Sequence, residues 1–328
     1  MNEATITKQS NAAYNQWCVQ WREHAKESAK YKMKPFRDFE NVGIGKAILC
    51  VANGYSFEEQ LPIIKEHWQN VDILCCDKTL GHLLNAGIVP TYCVVCDANV
   101  DHVKYLEPWK DKLKDVILLV NVCANPQWAK LGNWKDIYFF VNQDIINSHL
   151  EFSKLSGCMN FVPAATNVSN AMIVLITQSD NVARRNYFGY DKIILSGFDY
   201  SWKAGGKYYA FDDDGGGKAQ YMCHSYLYTI GGNFAYTSGN LTFSKDWLFK
   251  YIKTYNLPVV QCAGDSLLQL GKVSNLAEQM QYKCDPEDAV AVRKSIEQLR
   301  ELETAMVAIQ RRVHEFGKKH WWAHARTV

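Results

Sequence analysis

The chain has 328 residues, of which 48% are hydrophobic, and its formal net charge is +2 at pH 7. This length suits one large domain or one domain with an appendage. With so small a net charge, the protein has no overall electrostatic field that would attract nucleic acid or a membrane, although local basic patches remain possible. The polar N-terminus has no signal-peptide pattern, and no apolar run approaches the roughly 20 residues of a membrane span.

The eleven cysteines are predicted to be thiols rather than disulfides. Cys93 and Cys96 have the spacing of a zinc or redox half-site, but strand alternation points their sulfurs apart and no second pair matches. We expect a reducing, cytoplasmic compartment. Seven cysteines lie in or beside apolar runs, where free cysteine packs as a small hydrophobe: Cys50, Cys75, Cys76, Cys93, Cys96, Cys123 and Cys262.

The first half of the chain alternates helical patterns with short apolar runs. A helix is predicted over residues 14–31, and the buried strand 47–53 precedes a helix that Ser56 could cap. This alternation predicts an α/β fold, a Rossmann-like and mostly parallel sheet with helices on both faces. The further predicted elements are strands 71–76, 92–97, 115–122 and 136–141, with helices near 79–86 and from residue 101.

The second half continues the pattern and adds two unusual segments. The stretch 201–240, rich in Gly and Tyr, is too long for an ordinary connection and predicts a lid or substrate loop. From Pro286 onward, apolar residues three and four apart predict a long amphipathic helix that ends at Gly317. The regular elements between them are helix 168–180, strand 190–199, helix 241–256 and strand 257–263.

Polar residues follow most of the predicted strands. Ligands of open α/β sheets bind beyond the carboxyl ends of the strands, so these residues indicate a binding site. Gly54 allows close backbone approach, and the next helix N-terminus favours phosphate. A phosphorylated nucleotide is therefore predicted, with a plain strand-to-helix turn as the alternative. The residues are Asn53, Gly54, Ser56, Asp77, Asp97, Asn121, Asn125 and Asp199.

Two common nucleotide motifs are missing from the sequence. It has no G-x-x-x-x-G-K-[ST], and Gly43-x-Gly45 precedes its strand instead of following it, which disfavours a P-loop kinase or an ordinary dehydrogenase. His224, in the Tyr-rich loop, could be a general base because imidazole titrates near neutrality, or a surface histidine with no role. The run at 212–214 is either a cation ligand set or a solvated turn.

Several segments resemble two related groups of enzymes. Ala-Asn53-Gly54-Tyr-Ser56 is similar to the Asn/Gly-x-Gly-Pro-Ser turn of both groups, with Tyr55 in place of proline. One group is the motility accessory factor and 6-hydroxymethylpterin diphosphokinase-like family, which the segment CCDKTLGHLLNAGIVPTYCVVCDAN at 75–99 also resembles. The other comprises the bacterial CMP-sialic acid-dependent sialyltransferases, whose fold is a GT-A-like variant.

The likeness to the sialyltransferases covers later segments. Thr166-Asn167-Val168 resembles their Thr-Ser-Gly helix start, and FGYDKIILSGFDYSW with KYYAFD resembles a strand and a loop of that group. His224-Ser225 matches their His-Ser, and FSKDWLFKYIKTYNLPVVQC resembles their final helix and strand. Together the two resemblances cover residues 14–275. A departure is Ser201, which stands beside Tyr200 where these enzymes have a second phosphate-facing tyrosine.

The resemblance implies a role for individual residues. Asn53 and Gly54 would contact nucleotide and phosphate, and Asp77 would occupy a second ribose- or phosphate-side position. Tyr209 would hydrogen-bond the departing phosphate, and His224 would deprotonate the acceptor hydroxyl. The remaining pair would lie near the donor's phosphate and sugar carboxylate: Thr166 and Asn167.

The predicted function is a metal-independent, inverting glycosyltransferase that uses a nucleotide sugar, with a CMP-sugar favoured and no cofactor required. One alternative is a Mg²⁺-dependent diphosphokinase acting on a hydroxymethylpterin, with Asp77 and Asp97 as metal ligands. Another is a non-catalytic structural or assembly protein of the same fold. The acceptor is open among a carbohydrate, a protein hydroxyl, a lipid headgroup and a modified nucleobase.

Three segments are predicted along the chain: an N-terminal helical segment at 1–45, a nucleotide-binding catalytic domain at 46–285, and the long helix with its tail at 286–328. The apolar stripe of that helix would pack on the domain or on a second copy, giving a homo-oligomer. A membrane-surface or polyanion contact is the alternative, because the tail combines charges with interfacial aromatics: Lys318, Lys319, Trp321, Trp322 and Arg326.

Overall fold

The computed structural model describes residues 3–99, 106–144, 146–177, 187–203, 209–212, 225–229 and 231–324. The chain divides into two compact units, Met1–Tyr282 and Lys283–Val328. The first unit holds every strand described, and one long helix makes up the described part of the second beyond residue 285.

Eight strands form one parallel sheet in the spatial order β11-β7-β1-β2-β3-β4-β5-β6. This confirms the predicted Rossmann-like α/β fold. Three further strands form a small antiparallel sheet in the order β8-β10-β9. The strands are β1 (Ala47–Val51), β2 (Asp72–Cys76), β3 (Tyr92–Val95), β4 (Ile117–Asn121), β5 (Asp136–Gln143), β6 (Phe161–Pro163), β7 (Lys192–Ser196), β8 (Trp202–Lys203), β9 (Ser225–Tyr228), β10 (Phe234–Thr237) and β11 (Val259–Gln261).

Helices cover both faces of the large sheet because its strands are apolar on both sides. In β1, Leu49 and Val51 join one hydrophobic cluster, whereas Ile48 and Cys50 join the other. Such two-sided burial is typical of parallel sheets. The helices are α1 (Glu3–Ser28), α2 (Tyr55–His67), α3 (Asp77–Asn85), α4 (Gln127–Lys130), α5 (Ser148–Ser156), α6 (Val168–Thr177), α7 (Gly239–Tyr255), α8 (Leu276–Met280) and α9 (Pro286–His324).

The order of the strands reverses at β1. The chain runs outward from β1 to β6 and then returns through α6 to β7, on the other side of β1. Such a reversal leaves a crevice beyond the carboxyl ends of the two central strands, which is where open α/β sheets bind ligands. The fold therefore directs attention to the ends of β1 and β7.

Helix α1 packs onto the far half of the sheet unit through a polar cluster with α5. The Tyr14 hydroxyl donates to Glu151 Oε2 at 2.6 Å, and Arg22 Nε donates to Glu151 Oε1 at 2.5 Å. Further along α1, the Ser28 hydroxyl donates to the carbonyl oxygen of Val122 at 3.1 Å. These bonds tie the first helix to β4 and α5, so α1 belongs to the sheet-bearing unit.

Two local predictions were wrong. Helix α2 begins at Tyr55 with Gly54 as its N-cap, so the Ser56 side chain does not cap it. Helix α9 continues through Gly317 to His324, because one glycine costs a helix only about 1 kcal/mol and good helix formers surround it. The described part of the segment 201–240 contains β8, β9 and β10, and its role as a lid or substrate loop stays a prediction.

The described cysteines match the expectation of free thiols. All ten are unpaired by disulfides, and Cys93 lies opposite Cys75 in the pairing of β2 with β3. Burial raises the pKa of the Cys76 thiol to about 12, which suits an inert core residue. Across the described ranges, no helix is both long and apolar enough to cross a membrane.

Candidate functional site

A cleft of about 510 Å³ opens beyond the carboxyl ends of the central strands. Its wall combines the ends of β1, β2, β3, β5 and β7 with the starts of α6 and α7. This is the place that the reversal of strand order predicts. Eight of the predicted site residues line the cleft: Asn53, Gly54, Asp77, Asp97, Thr166, Asn167, Asp199 and Tyr209.

The segments after β1 and β7 touch each other at the floor of the cleft. The backbone N–H of Gly54 donates to the Gly197 carbonyl at 3.0 Å. A Cβ at Gly54 would collide with the Asp199 carboxylate, and one at Gly197 would collide with the Ala52 carbonyl. Gly197 also has φ of +73°, a region that side chains disfavour. The glycines therefore serve the contact between these two segments.

The N-terminus of α2 is occupied by a carboxylate of the chain itself. The backbone N–H of Ser56 donates to Asp199 Oδ2 at 2.8 Å, and the Ser56 hydroxyl accepts from the N–H of Gly197 at 3.2 Å. A helix N-terminus binds anions through such N–H groups and its dipole. Since Asp199 uses this position, a phosphate is expected elsewhere in the cleft.

Asp199 is the most deeply buried charge of the cleft. Only 1% of its surface is exposed, and burial raises its pKa to about 7, against the opposing effect of the Ser56 hydrogen bonds. Its second oxygen, Oδ1, is buried and has no hydrogen-bond partner among the described residues. Leaving a buried acceptor without a donor costs folding free energy, and a ligand that donates a hydrogen bond to Oδ1 would remove this cost.

Asp77 and Asp97 form the carboxylate side of the cleft. Asp77 is the first residue of α3, and burial raises its pKa to about 6, with the charge of Asp97 adding to the effect. Asp97 is exposed, and its Oδ1 accepts from the N–H of Asn99 at 2.8 Å. Two carboxylates facing one cleft suit Mg²⁺ bound jointly with a substrate phosphate. Within the described ranges, no group of three candidate metal-ligating side chains occurs.

Helix α6 points its N-terminus into the cleft. Asn167 caps it, since its Oδ1 accepts from the N–H of Asn170 at 2.8 Å. The amide of Asn170 is fully buried and donates to Thr166 Oγ1 at 2.7 Å and to the Ser244 carbonyl at 2.9 Å. These bonds fix Thr166 as an acceptor toward Asn170, so its hydroxyl hydrogen can be donated to a ligand.

Tyr200 connects this helix start to the end of β7. Its hydroxyl donates to Asn170 Oδ1 at 2.6 Å, and its φ of +56° is uncommon for a bulky residue. Unusual backbone conformations of this kind cluster at functional sites. The hydroxyl is therefore engaged in positioning α6, although Tyr200 lines the cleft.

Tyr209 reaches the cleft on a short anchored segment, Tyr209–Asp212. The N–H of Ala210 donates to the Asn53 carbonyl at 3.1 Å, and the N–H of Phe211 donates to Glu58 Oε2 at 3.0 Å. Lys78 Nζ lies 3.6 Å from the centroid of the Tyr209 ring, a cation–π contact. Residues of α2, α3 and β1 thus hold Tyr209 beside a positive charge.

Four predicted residues stand apart from this group. His224 lies outside the described residues. Ser56 is buried behind Asp199 and is not among the residues that line the cleft. Asn121 and Asn125 are likewise not among them. The Oδ1 of Asn121 accepts from the N–H of Cys123 at 2.8 Å, and the Oδ1 of Asn125 accepts from the N–H of Gln127 at 3.0 Å, so both side chains shape the turn after β4.

Lys78 and Asn142 are among the lining residues that were not predicted from the sequence. Lys78 directly follows Asp77 after β2, and that position was its only signal. Asn142 follows the apolar run of β5, and its Oδ1 is buried without a hydrogen-bond partner among the described residues. The sequence could not show that β5 reaches the same cleft as β1, because β5 begins 89 positions after β1.

Comparisons with known proteins agree with this architecture. A MAf glycosyltransferase from Magnetospirillum magneticum AMB-1 superposes with a TM-score of 0.59 and 13% sequence identity. The match covers 86% of this chain and 42% of that one, so this chain spans less than half of its length. At such identity the likeness concerns the fold alone. No curated protein sequence matches the chain.

The family comparison concerns the half of the chain that builds the cleft. Residues 20–205 match the family described as 6-hydroxymethylpterin diphosphokinase MptE-like. They include β1 to β7 and all of the cleft-lining residues up to Ser201. More than half of the chain is matched, and the chain belongs to the 6-hydroxymethylpterin diphosphokinase MptE-like family.

Proposed function

We propose that the protein is a glycosyltransferase that moves a sugar from a nucleotide-activated donor, with CMP-sugars favoured, to an acceptor hydroxyl. The observation that carries this proposal is the cleft at the reversal of strand order, with the N-terminus of α6 and Lys78 at its wall. That combination suits a phosphorylated nucleoside. The fold shared with a MAf glycosyltransferase supports the reaction class.

In this proposal, the donor phosphate lies between the N-termini of α6 and α3. Thr166 offers a hydroxyl, the first N–H groups of α6 offer a positive dipole end, and Lys78 offers a charge. Asn53 and Asp77 would hold the nucleoside from the ends of β1 and β2. This arrangement keeps the phosphate away from the N-terminus of α2, which Asp199 occupies.

The proposed chemistry is a direct displacement. His224 takes the proton of the acceptor hydroxyl, the acceptor oxygen bonds to the anomeric carbon, and the bond from that carbon to the donor phosphate breaks. The phosphate oxygen leaves with the bonding electrons, and Tyr209 and Lys78 stabilise the new negative charge. No metal or cofactor is required in this scheme, and the cytoplasm is the proposed location.

The second candidate is diphosphate transfer from ATP to a hydroxymethylpterin. The pair Asp77 and Asp97 at the cleft favours it, because Mg²⁺ that bridges phosphates is bound by one or two carboxylates. The bound ion would neutralise the transferred phosphates. The family description names the same activity.

One panel of assays separates the two reactions. Purified full-length protein is incubated with CMP-, UDP- and GDP-sugars in EDTA, and with ATP and 6-hydroxymethyl-dihydropterin in Mg²⁺. We expect thermal stabilisation and sugar release with one donor class in EDTA, because a bound ligand raises the apparent stability by mass action. We expect no diphosphorylated pterin.

Variants then assign the base. His224→Ala should abolish transfer while donor binding persists, and His67→Ala, at the end of α2, should leave both unchanged. Pterin diphosphate formation that EDTA abolishes, without any sugar release, would overturn the glycosyltransferase proposal. Absence of turnover with every substrate would favour the non-catalytic alternative.

A further inference from the structure

Helix α9 exposes a row of large apolar side chains. The exposed fractions are 46% for Val292, 61% for Leu302, 60% for Met306, 59% for Ile309 and 65% for Val313. Single exposed apolar residues are ordinary, but a row of them along one helix marks a surface that another molecule covers. The row spans the middle and later turns of the 39-residue helix.

The spacing of the row identifies the kind of partner. Val292, Leu299, Met306 and Val313 recur every seven residues, and Leu302, Ile309 and Phe316 form a second series offset by three. This is the heptad pattern, with the first series at position a and the second at d. A strict seven-residue repeat keeps a narrow seam in register only with another helix that supercoils around it. Asp288 and Ser295 are polar exceptions at d.

The charges of α9 argue against an anionic lipid surface or nucleic acid. The helix carries six acidic and seven basic residues between Pro286 and His324, and the two signs are interspersed. A helix that lies on an anionic membrane has a strongly basic polar face instead. Most of these charges lie on the faces away from the a/d seam, which is typical of a helix whose seam packs against another protein helix while its other faces meet water.

We propose that α9 forms a coiled coil with α9 of a second copy of this chain, so that the protein is a homo-oligomer held by this seam. Each of the five described seam side chains still has 46–65% of its surface to bury, and the same a/d repeat is present in every copy of the chain. Two copies therefore offer seams that match residue for residue and can cover each other's exposed side chains.

Two valines provide a matched test. Val313 lies at position a, whereas Val290 lies at position f, on the opposite side of the helix, and both are 65% exposed. Val313→Lys and Val290→Lys make the same chemical change at the same exposure. The oligomeric state of each full-length variant is measured by sedimentation velocity over a concentration series, with circular dichroism to check that the helix persists.

The wild type and Val290→Lys are expected to sediment as the same oligomer, and Val313→Lys is expected to raise the dissociation constant at least tenfold. A wild type that is still monomeric at about 100 μM would overturn the proposal, because its dissociation constant would then lie above that concentration. Equal weakening by both variants would also overturn it, since the seam would then be irrelevant. A last outcome concerns lipid. If the protein is monomeric, and if the wild type and Val290→Lys sediment with anionic vesicles but Val313→Lys does not, the seam binds lipid and the proposal is overturned.

Discussion

Lys78 is the described residue whose position adds most to the site. It follows Asp77 at the start of α3, and its ammonium group lies 3.6 Å from the centroid of the Tyr209 ring. The ring face stabilises the cation, and the neighbouring carboxylate Asp77 is held partly protonated near neutral pH by burial, with a pKa of about 6. Lys78 is therefore well placed to bind an anionic group of a ligand.

Replacing Lys78 with Met should weaken binding of nucleotide sugars about ten- to a hundredfold, because a charge-assisted hydrogen bond contributes roughly 1.5–3 kcal/mol. Isothermal titration with the donor found in the assays measures the effect. Lys112→Met is the control, since Lys112 also lies over an aromatic ring, that of Trp109, and does not line the cleft. Unchanged affinity in Lys78→Met would remove this residue from the phosphate site.

At the scale of elements, the N-terminus of α6 has two duties. Asn167 caps the helix by accepting from the N–H of Asn170, and both Thr166 and Asn167 line the cleft. The first duty concerns folding and the second concerns the ligand. A substitution that keeps the cap but changes the charge can separate them, because an aspartate caps a helix as well as an asparagine does.

Asn167→Asp should have the same midpoint of urea unfolding as the wild type. It should nevertheless bind the nucleotide sugar at least tenfold more weakly, because its carboxylate repels the phosphate. Asn167→Ala should lose about 1 kcal/mol of unfolding free energy through the missing cap. Urea unfolding and titration calorimetry on both variants provide the readouts. Wild-type affinity in Asn167→Asp would show that the phosphate lies elsewhere in the cleft.

For the whole molecule, the buried carboxyl of Asp199 links stability to pH. Burial raises its pKa from 3.8 to about 7, so the folded state holds the proton more tightly than the unfolded chain does. The protonated carboxyl stabilises the folded state fully when the pH is below the pKa of the unfolded chain. This stabilisation is lost as the pH rises through the pKa of the folded state. The unfolding free energy should therefore fall between about pH 4 and pH 7 and then level off.

Asp199→Asn should reduce this fall in the unfolding free energy by at least about 1 kcal/mol, since each unit of pKa shift corresponds to roughly 1.4 kcal/mol. The measurement is urea unfolding at several pH values from 5 to 8 in the absence of ligand, with both proteins in the same buffers. Asp111→Asn, which changes an exposed carboxyl outside the cleft, is the control. Parallel profiles for wild type and Asp199→Asn would contradict the assignment.

The sequence by itself determined the kind of fold and the polar strand ends that line the cleft. Apolar runs such as Ala47–Val51, buried on both faces, cannot form a half-exposed sheet, and a polar residue at each strand end must lie at one edge of a parallel sheet. Asn53, Asp77, Asp97 and Asp199 were located by that rule alone. Local pattern suffices here because burial and strand direction are encoded within each segment.

Only the tertiary structure decided what each of these residues contacts. Gly54 and Ser56 suggested a phosphate-binding turn, yet their N–H groups bond to Gly197 and Asp199, more than 140 residues away in sequence. The position of Lys78 beside Tyr209 depends in the same way on a distant segment. A strand end shows which groups are available, but the neighbours that use them are brought there by the crossing of the chain from β6 back to β7.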